Sequence, residues 1–79
     1  MNRLIFREIN NRSIIYLYYP EGEEVFGKIE YLFSDKKARI AKKAKNDEFG
    51  YFAYKATLKV EECAGKKNLP LQFTQEWVN

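Results

Sequence analysis

Short apolar, partly alternating stretches separated by polar turns run through the first half of the chain, as strands do. Residues 3–9 and 12–19 are rich in Ile, Leu, Phe and Tyr, with Asn10-Asn11 between them. Asn tolerates positive φ, so this pair suits a two-residue hairpin turn. In the register that such a turn sets, Ile9 faces Arg12, Phe6 faces Ile15 and Leu4 faces Leu17, which gathers four apolar residues on one side of the sheet. Pro20-Glu21-Gly22 breaks the chain. A third strand over 25–33 then resumes the alternation, with Val25, Ile29, Tyr31 and Phe33 on one side. Beyond the polar turn Ser34-Asp35-Lys36-Lys37, a fourth strand over 38–44 continues the same apolar face through Ala38 and Ile40. Its residues also have good helix propensity, so a short helix stays open there.

The period changes after residue 46. Asn46-Asp47 offers an N-cap, Glu48 suits a first turn, and Gly65 with Pro70 beyond it marks a stop. A helix of roughly 16 residues is expected between them. Its apolar stripe is Phe49, Phe52, Ala53, Ala56, Val60 and Cys63, spaced by three or four residues. The competing strand pattern uses Phe52, Tyr54, Ala56, Leu58 and Val60. The cap signals at both ends favour the helix, and Gly50 costs it about 1 kcal/mol. The tail alternates loosely through Leu71, Phe73 and Trp77, as a last strand or an extended cover. The expected fold is therefore α+β: an antiparallel β-meander of about four strands packed on one helix, followed by an extended or strand-like C-terminal tail. At 79 residues the chain reads as a single domain over 1–79.

Composition narrows the chemistry. The chain contains no histidine, which removes the commonest general base and most transition-metal sites. Its one cysteine, Cys63, excludes an intramolecular disulfide and falls on the buried stripe, where a thiol behaves as a small hydrophobe. Asp47 and Glu48 are explained by the helix start. Gly22, Gly27, Gly50 and Gly65 are dispersed, so no phosphate-cradling loop forms. These absences point away from an enzyme and from any cofactor or metal. The N-terminus lacks the apolar run of a signal peptide, and no stretch is long enough to span a bilayer, so cytoplasmic localisation without membrane attachment is expected.

The net charge is +3, unevenly placed: from Lys36 to Lys45 there are six bases and no acid. If Leu4, Phe6, Ile15, Leu17, Tyr19, Val25, Ile29, Tyr31 and Phe33 face the helix, the opposite sheet face carries Ile5, Ile9, Ile14, Tyr16, Tyr18, Phe26 and Leu32. The same parity frames it with Arg3, Arg7, Arg12, Lys28, Arg39 and Lys43. An apolar centre with a charged rim is an interface pattern. On the helix, Tyr51, Tyr54 and Leu58 lie opposite the core stripe and form a second candidate surface. Leu71, Phe73 and Trp77 span about 20 Å at most, so the tail covers only one of the two.

The run Tyr16-Leu17-Tyr18-Tyr19-Pro20-Glu21-Gly22, the helix start Asn46-Asp47-Glu48-Phe49 and the terminal Glu76-Trp77-Val78 resemble short uncharacterised proteins of Gram-positive bacteria, their phages and mobile elements. The resemblance covers about residues 14–78 and implies a strand-rich front, one helix and an aromatic tail, but no activity. The tail of that pattern more often ends in a Trp-Tyr pair, where this chain has Trp77-Val78-Asn79. Small proteins of this kind often block host proteins stoichiometrically, which adds an inhibitory role to the expectations. The functional expectation is a protein-binding module whose partner is another protein or a second copy of the chain. Tyr16, Tyr18 and Phe26 are its anchors, with Arg12, Arg39 and Lys43 at the rim. The alternative is single-stranded nucleic acid, with Tyr16 and Tyr18 stacking bases and Arg39, Lys43 and Lys28 holding phosphates.

Overall fold

A computed structural model describes residues 1–76. Its strands are β1 (Asn2–Ile9), β2 (Ser13–Pro20), β3 (Gly27–Leu32), β4 (Lys37–Lys42) and β5 (Gln72–Gln75), with one helix, α1 (Tyr51–Gly65), between the last two. The strands form one antiparallel sheet in the order β4-β3-β2-β1-β5. The α+β class and the meander stand as expected, and residues 37–42 are strand rather than helix. The described part of the tail covers neither expected surface: β5 pairs with β1 and widens the sheet. Trp77 lies outside the described residues.

The β1–β2 register departs from the expected one. Asn10 opens a longer turn, closed by a hydrogen bond from the Asn10 N–H to the Ser13 carbonyl. The Asn10 side-chain oxygen accepts from the Arg12 and Ser13 amides, the local bonding that makes Asn a turn former. Ile9 therefore pairs with Ile14. A bulge at Arg7 then shifts the register again, so that Phe6 pairs with Tyr16 and Leu4 with Tyr18. The net displacement is odd, and an odd displacement exchanges the two faces of a strand. Tyr16 and Tyr18, expected outside, are fully buried in the core, whereas Ile15, Leu17 and Tyr19, expected inside, lie on the face away from the helix.

A second bulge, at Ala41, has the same effect on the end of β4. Ile40 pairs with Ile29, but Lys42 rather than Ala41 pairs with Lys28. Ala38 and Ile40 keep their expected helix-side parity. Lys43 does not keep its expected place on the open face, because the bulge turns it toward the loop before α1, where its ammonium donates to the Glu48 carbonyl.

The core lies between the sheet and α1: Leu4, Ile14, Tyr16, Tyr18, Ile29 and Tyr31 meet Ala53, Ala56 and Val60. Each buried aliphatic side chain contributes about 1.5–3 kcal/mol. Small residues at 53 and 56 let the helix approach rings as large as tyrosine. Gly27, opposite Tyr18 in the sheet, makes room in the same way: a Cβ there would run into the Tyr18 ring and the Lys42 carbonyl. The helix stripe is as expected at Phe52, Ala53, Ala56, Val60 and Cys63, but Phe49 is 90% exposed. Gly50, at φ 71°, starts the helix in a left-handed conformation, so Phe49 stands outside the helical period.

Candidate functional site

Two hydroxyl groups explain why Tyr16 and Tyr18 of β2 point inward. The Tyr16 hydroxyl donates to the Pro70 carbonyl at 2.6 Å, fastening the segment that leads into β5. Phe6 and Phe73 pack edge-on against its ring. The Tyr18 hydroxyl donates to Asp47 Oδ2 at 3.0 Å and accepts from the Ala44 N–H at 2.9 Å. Asp47 is itself buried and also accepts from the Phe52 and Ala53 amides. It thus caps α1 while standing three residues before Gly50, and it ties the helix start to the middle strand of the sheet. Burial holds both tyrosines in the protonated form, with each pKa raised to about 12. Tyr16 and Tyr18 are therefore structural groups and not surface anchors.

The open sheet face is built instead from Ile5, Ile15, Leu17, Tyr19 and Leu32, with Phe26 beside them. Of the expected anchors only Phe26 is there, its ring 5.6 Å from that of Tyr19. This face is largely covered by its own charged neighbours. The Arg3 guanidinium lies 4.5 Å from the centre of the Tyr19 ring, and the Lys42 ammonium 5.2 Å from that of Phe26. Leu17, between Ile5 and Lys28 on the same face, is buried. Long cationic stems covering apolar surface while their charges stay in water account for this arrangement. At the other end of the face, Arg39 donates to Glu30 Oε1 from Nε at 2.9 Å and from Nη2 at 2.6 Å. That bond lowers the Glu30 carboxyl pKa. Arg12 lines the same shallow depression with Ser13, Glu30 and Leu32. Arg12 and Arg39 are where the sequence placed them, but each has an acid beside it.

The second expected surface survives intact. Tyr51, Tyr54 and Leu58, on the side of α1 away from the sheet, are 47%, 57% and 47% exposed. Spacings of three and four residues align them along one helical line. Charged groups border that line: Lys55 lies 5.6 Å from the Tyr51 ring centre, and Lys59 pairs with Glu62 at 2.7 Å. Phe49 adds a ring at the helix start. The expected sites are therefore not brought together, since Phe26, Arg12 and Arg39 lie on one side of the sheet and the helical strip on the other. Sequence reasoning missed Tyr19 and Phe49. For Phe49 the signal was Gly50, which resets the helix start; the bulge at Arg7 that turns Tyr19 outward has no distinct signal, since Arg3 and Glu8 carry charge in the same strand.

Among the described residues no three His, Cys, Asp or Glu side chains converge as a metal site. Cys63 is buried, and burial raises its thiol pKa. Among the described residues no helix is long and apolar enough to cross a membrane. Compared with known proteins, the chain matches no family model, no curated protein and no solved structure.

Proposed function

We propose that the protein is a non-catalytic binding module whose partner is a protein, held by the solvent-facing line of α1. The observation that carries this reading is the exposure of Tyr54 and Leu58 on one helical line, with Tyr51 one turn before and Phe49 at the helix start. Anchors at i, i+3 and i+7 are what a helix presents to an apolar groove or to a second helix. Tyrosine supplies such contacts with little conformational cost and is enriched where binding energy concentrates. An inhibitory role, implied by the resemblance to small proteins of phages and mobile elements, would need nothing more than occupancy of the partner's surface. The nucleic-acid alternative loses its stacking pair, because Tyr16 and Tyr18 are inside the protein.

The test compares two variants that keep the core intact, Tyr54→Ser/Leu58→Ser on the helix and Tyr19→Ser/Arg39→Ala on the sheet. Light scattering over a concentration series reads self-association, and retention on the immobilised chain reads a foreign partner. Loss of association or retention by at least about tenfold in the helix variant alone, equivalent to 1.4 kcal/mol, is the expected result. The reading is overturned by loss in the sheet variant alone. It is equally overturned by a chain that stays monomeric and retains nothing.

A further inference from the structure

At the end of the molecule where α1 stops, the helix and the β3–β4 turn enclose a cleft of about 340 Å³ lined by Tyr31, Phe33, Lys36, Ala64, Gly65 and Lys67. Three of these six residues depart from what the local backbone prefers. Lys36 and Lys67 have positive φ, 54° and 55°, and with Glu21 they are the only non-glycine residues in that conformation among those described. Glycine or asparagine is the usual occupant of both positions, the end of a tight turn and the C′ residue of a helix. The bonds from the Lys67 N–H to the Ala64 carbonyl and from the Asn68 N–H to the Cys63 carbonyl close that helix end, one residue pair later than Gly65 would have done. Gly65 is the converse case. It sits in the last turn without positive φ, and a Cβ there would meet nothing within 4 Å, so the fold does not require a glycine.

Departures from local preference cluster at functional sites, and here three of them share one cavity. The lining specifies the ligand. Tyr31 and Phe33 form an edge-to-face pair 6.0 Å apart, and Phe33 is partly open to solvent. Lys36 lines the cleft from the β3–β4 turn and Lys67 from the end of α1, and among the described residues neither enters an ion pair. No acid lines the cavity, and Asp35 in the adjoining turn accepts from Ser34. The helix C-terminus contributes about half a negative charge, which two full positive charges outweigh. The volume, at the low end for ligand sites, suits a single ring with a head group.

We propose that this cleft binds a small aromatic acid, its ring against Tyr31 and Phe33 and its carboxylate or phosphate between Lys36 and Lys67. The left-handed lysines are then retained for their charge, and Gly65 for the close approach of the ligand to the helix backbone.

The test is an NMR titration of the isotope-labelled full chain with phenyl phosphate, and with phenol and inorganic phosphate as separate titrants. Shifts should centre on Tyr31, Phe33, Lys36, Gly65 and Lys67, with phenyl phosphate binding at least about tenfold more tightly than either fragment. A Lys36→Gly/Lys67→Gly variant removes both charges while supplying the residue that the backbone prefers. It should bind at least about tenfold more weakly without a lower Tm. Lys36→Gln/Lys67→Gln, which leaves the backbone demand unchanged, should show the same loss. Gly65→Ala should raise Tm by about 4 °C, as glycine replacement within a helix does. Absent shifts, shifts centred elsewhere, inorganic phosphate binding as tightly as phenyl phosphate, or full affinity in the lysine variants would each overturn the proposal.

Discussion

The two faces of β2 carry nearly the same hydrophobic content and have opposite fates. Toward the helix stand Ile14, Tyr16 and Tyr18, and away from it Ile15, Leu17 and Tyr19. Hydrophobicity alone does not decide between them. The deciding features are the two hydroxyls, which reach Pro70 on one side and the Asp47–Ala44 pair on the other, and the neighbours that glycine and alanine make thin. Tyr19, by contrast, needs no buried partner and lies under Arg3. A buried hydroxyl without a partner costs about 1–3 kcal/mol, which is enough to select one face over the other in a small domain. An aromatic residue with a polar tip is therefore as much a core candidate as an aliphatic one, provided the tip has somewhere to go.

The largest expected effect separates the faces outright. Tyr16→Ser/Tyr18→Ser removes two rings from the core at about 3–5 kcal/mol each, comparable with the whole stability of a 79-residue chain, and should abolish the folded circular dichroism spectrum. Tyr19→Ser on the other face should change stability by less than about 1 kcal/mol. If the double variant folds and the single one does not, the faces are assigned backwards.

Next in size is alkaline unfolding. Because the folded state holds the Tyr16 and Tyr18 protons up to about pH 12 while the unfolded chain releases them near 10.0, their contribution is complete below pH 10.0 and is lost as the pH rises to about 12. Each tyrosine accounts for on the order of 2 kcal/mol. Denaturant midpoints should therefore fall across that window, and ultraviolet titration should show two tyrosines ionising late. A midpoint that is flat from pH 10 to 12 would contradict their burial.

Asp47→Ala sharpens the comparison further, since Asp47 is the group that receives the Tyr18 hydroxyl. The change strands that hydroxyl and the Phe52 and Ala53 amides, with an expected cost of about 3 kcal/mol. Hydrogen exchange should show the loss first at the start of α1. A cost confined to a few tenths of a kcal/mol would mean that Asp47 does not join helix to sheet.

Much of this was legible in the sequence, for identifiable reasons. The third strand alternates polar and apolar residues from Lys28 to Tyr31, and its faces follow. The stripe Ala53, Ala56, Val60 and Cys63 has helical spacing and is buried, and Tyr51, Tyr54 and Leu58 are exposed on the far side as their spacing requires. The second strand is apolar at every position from Ile14 to Tyr19, so its periodicity contains no information about faces, and its orientation rests on register alone. That register depends on the longer turn at Asn10 and on the bulge at Arg7, and a single-residue insertion in a ladder leaves only a faint trace in composition. Phe49 was misplaced for a similar reason: its spacing fits the stripe, but the helical period begins only after Gly50.

Tyrosine nitration of the native chain, read site by site by mass spectrometry, separates the buried tyrosines from the exposed ones in a single experiment. Tyr54 should react readily while Tyr16 and Tyr18 stay unmodified until the chain unfolds. Early modification of Tyr16 or Tyr18 with Tyr54 protected would contradict both the burial of that pair and the availability of the helical surface.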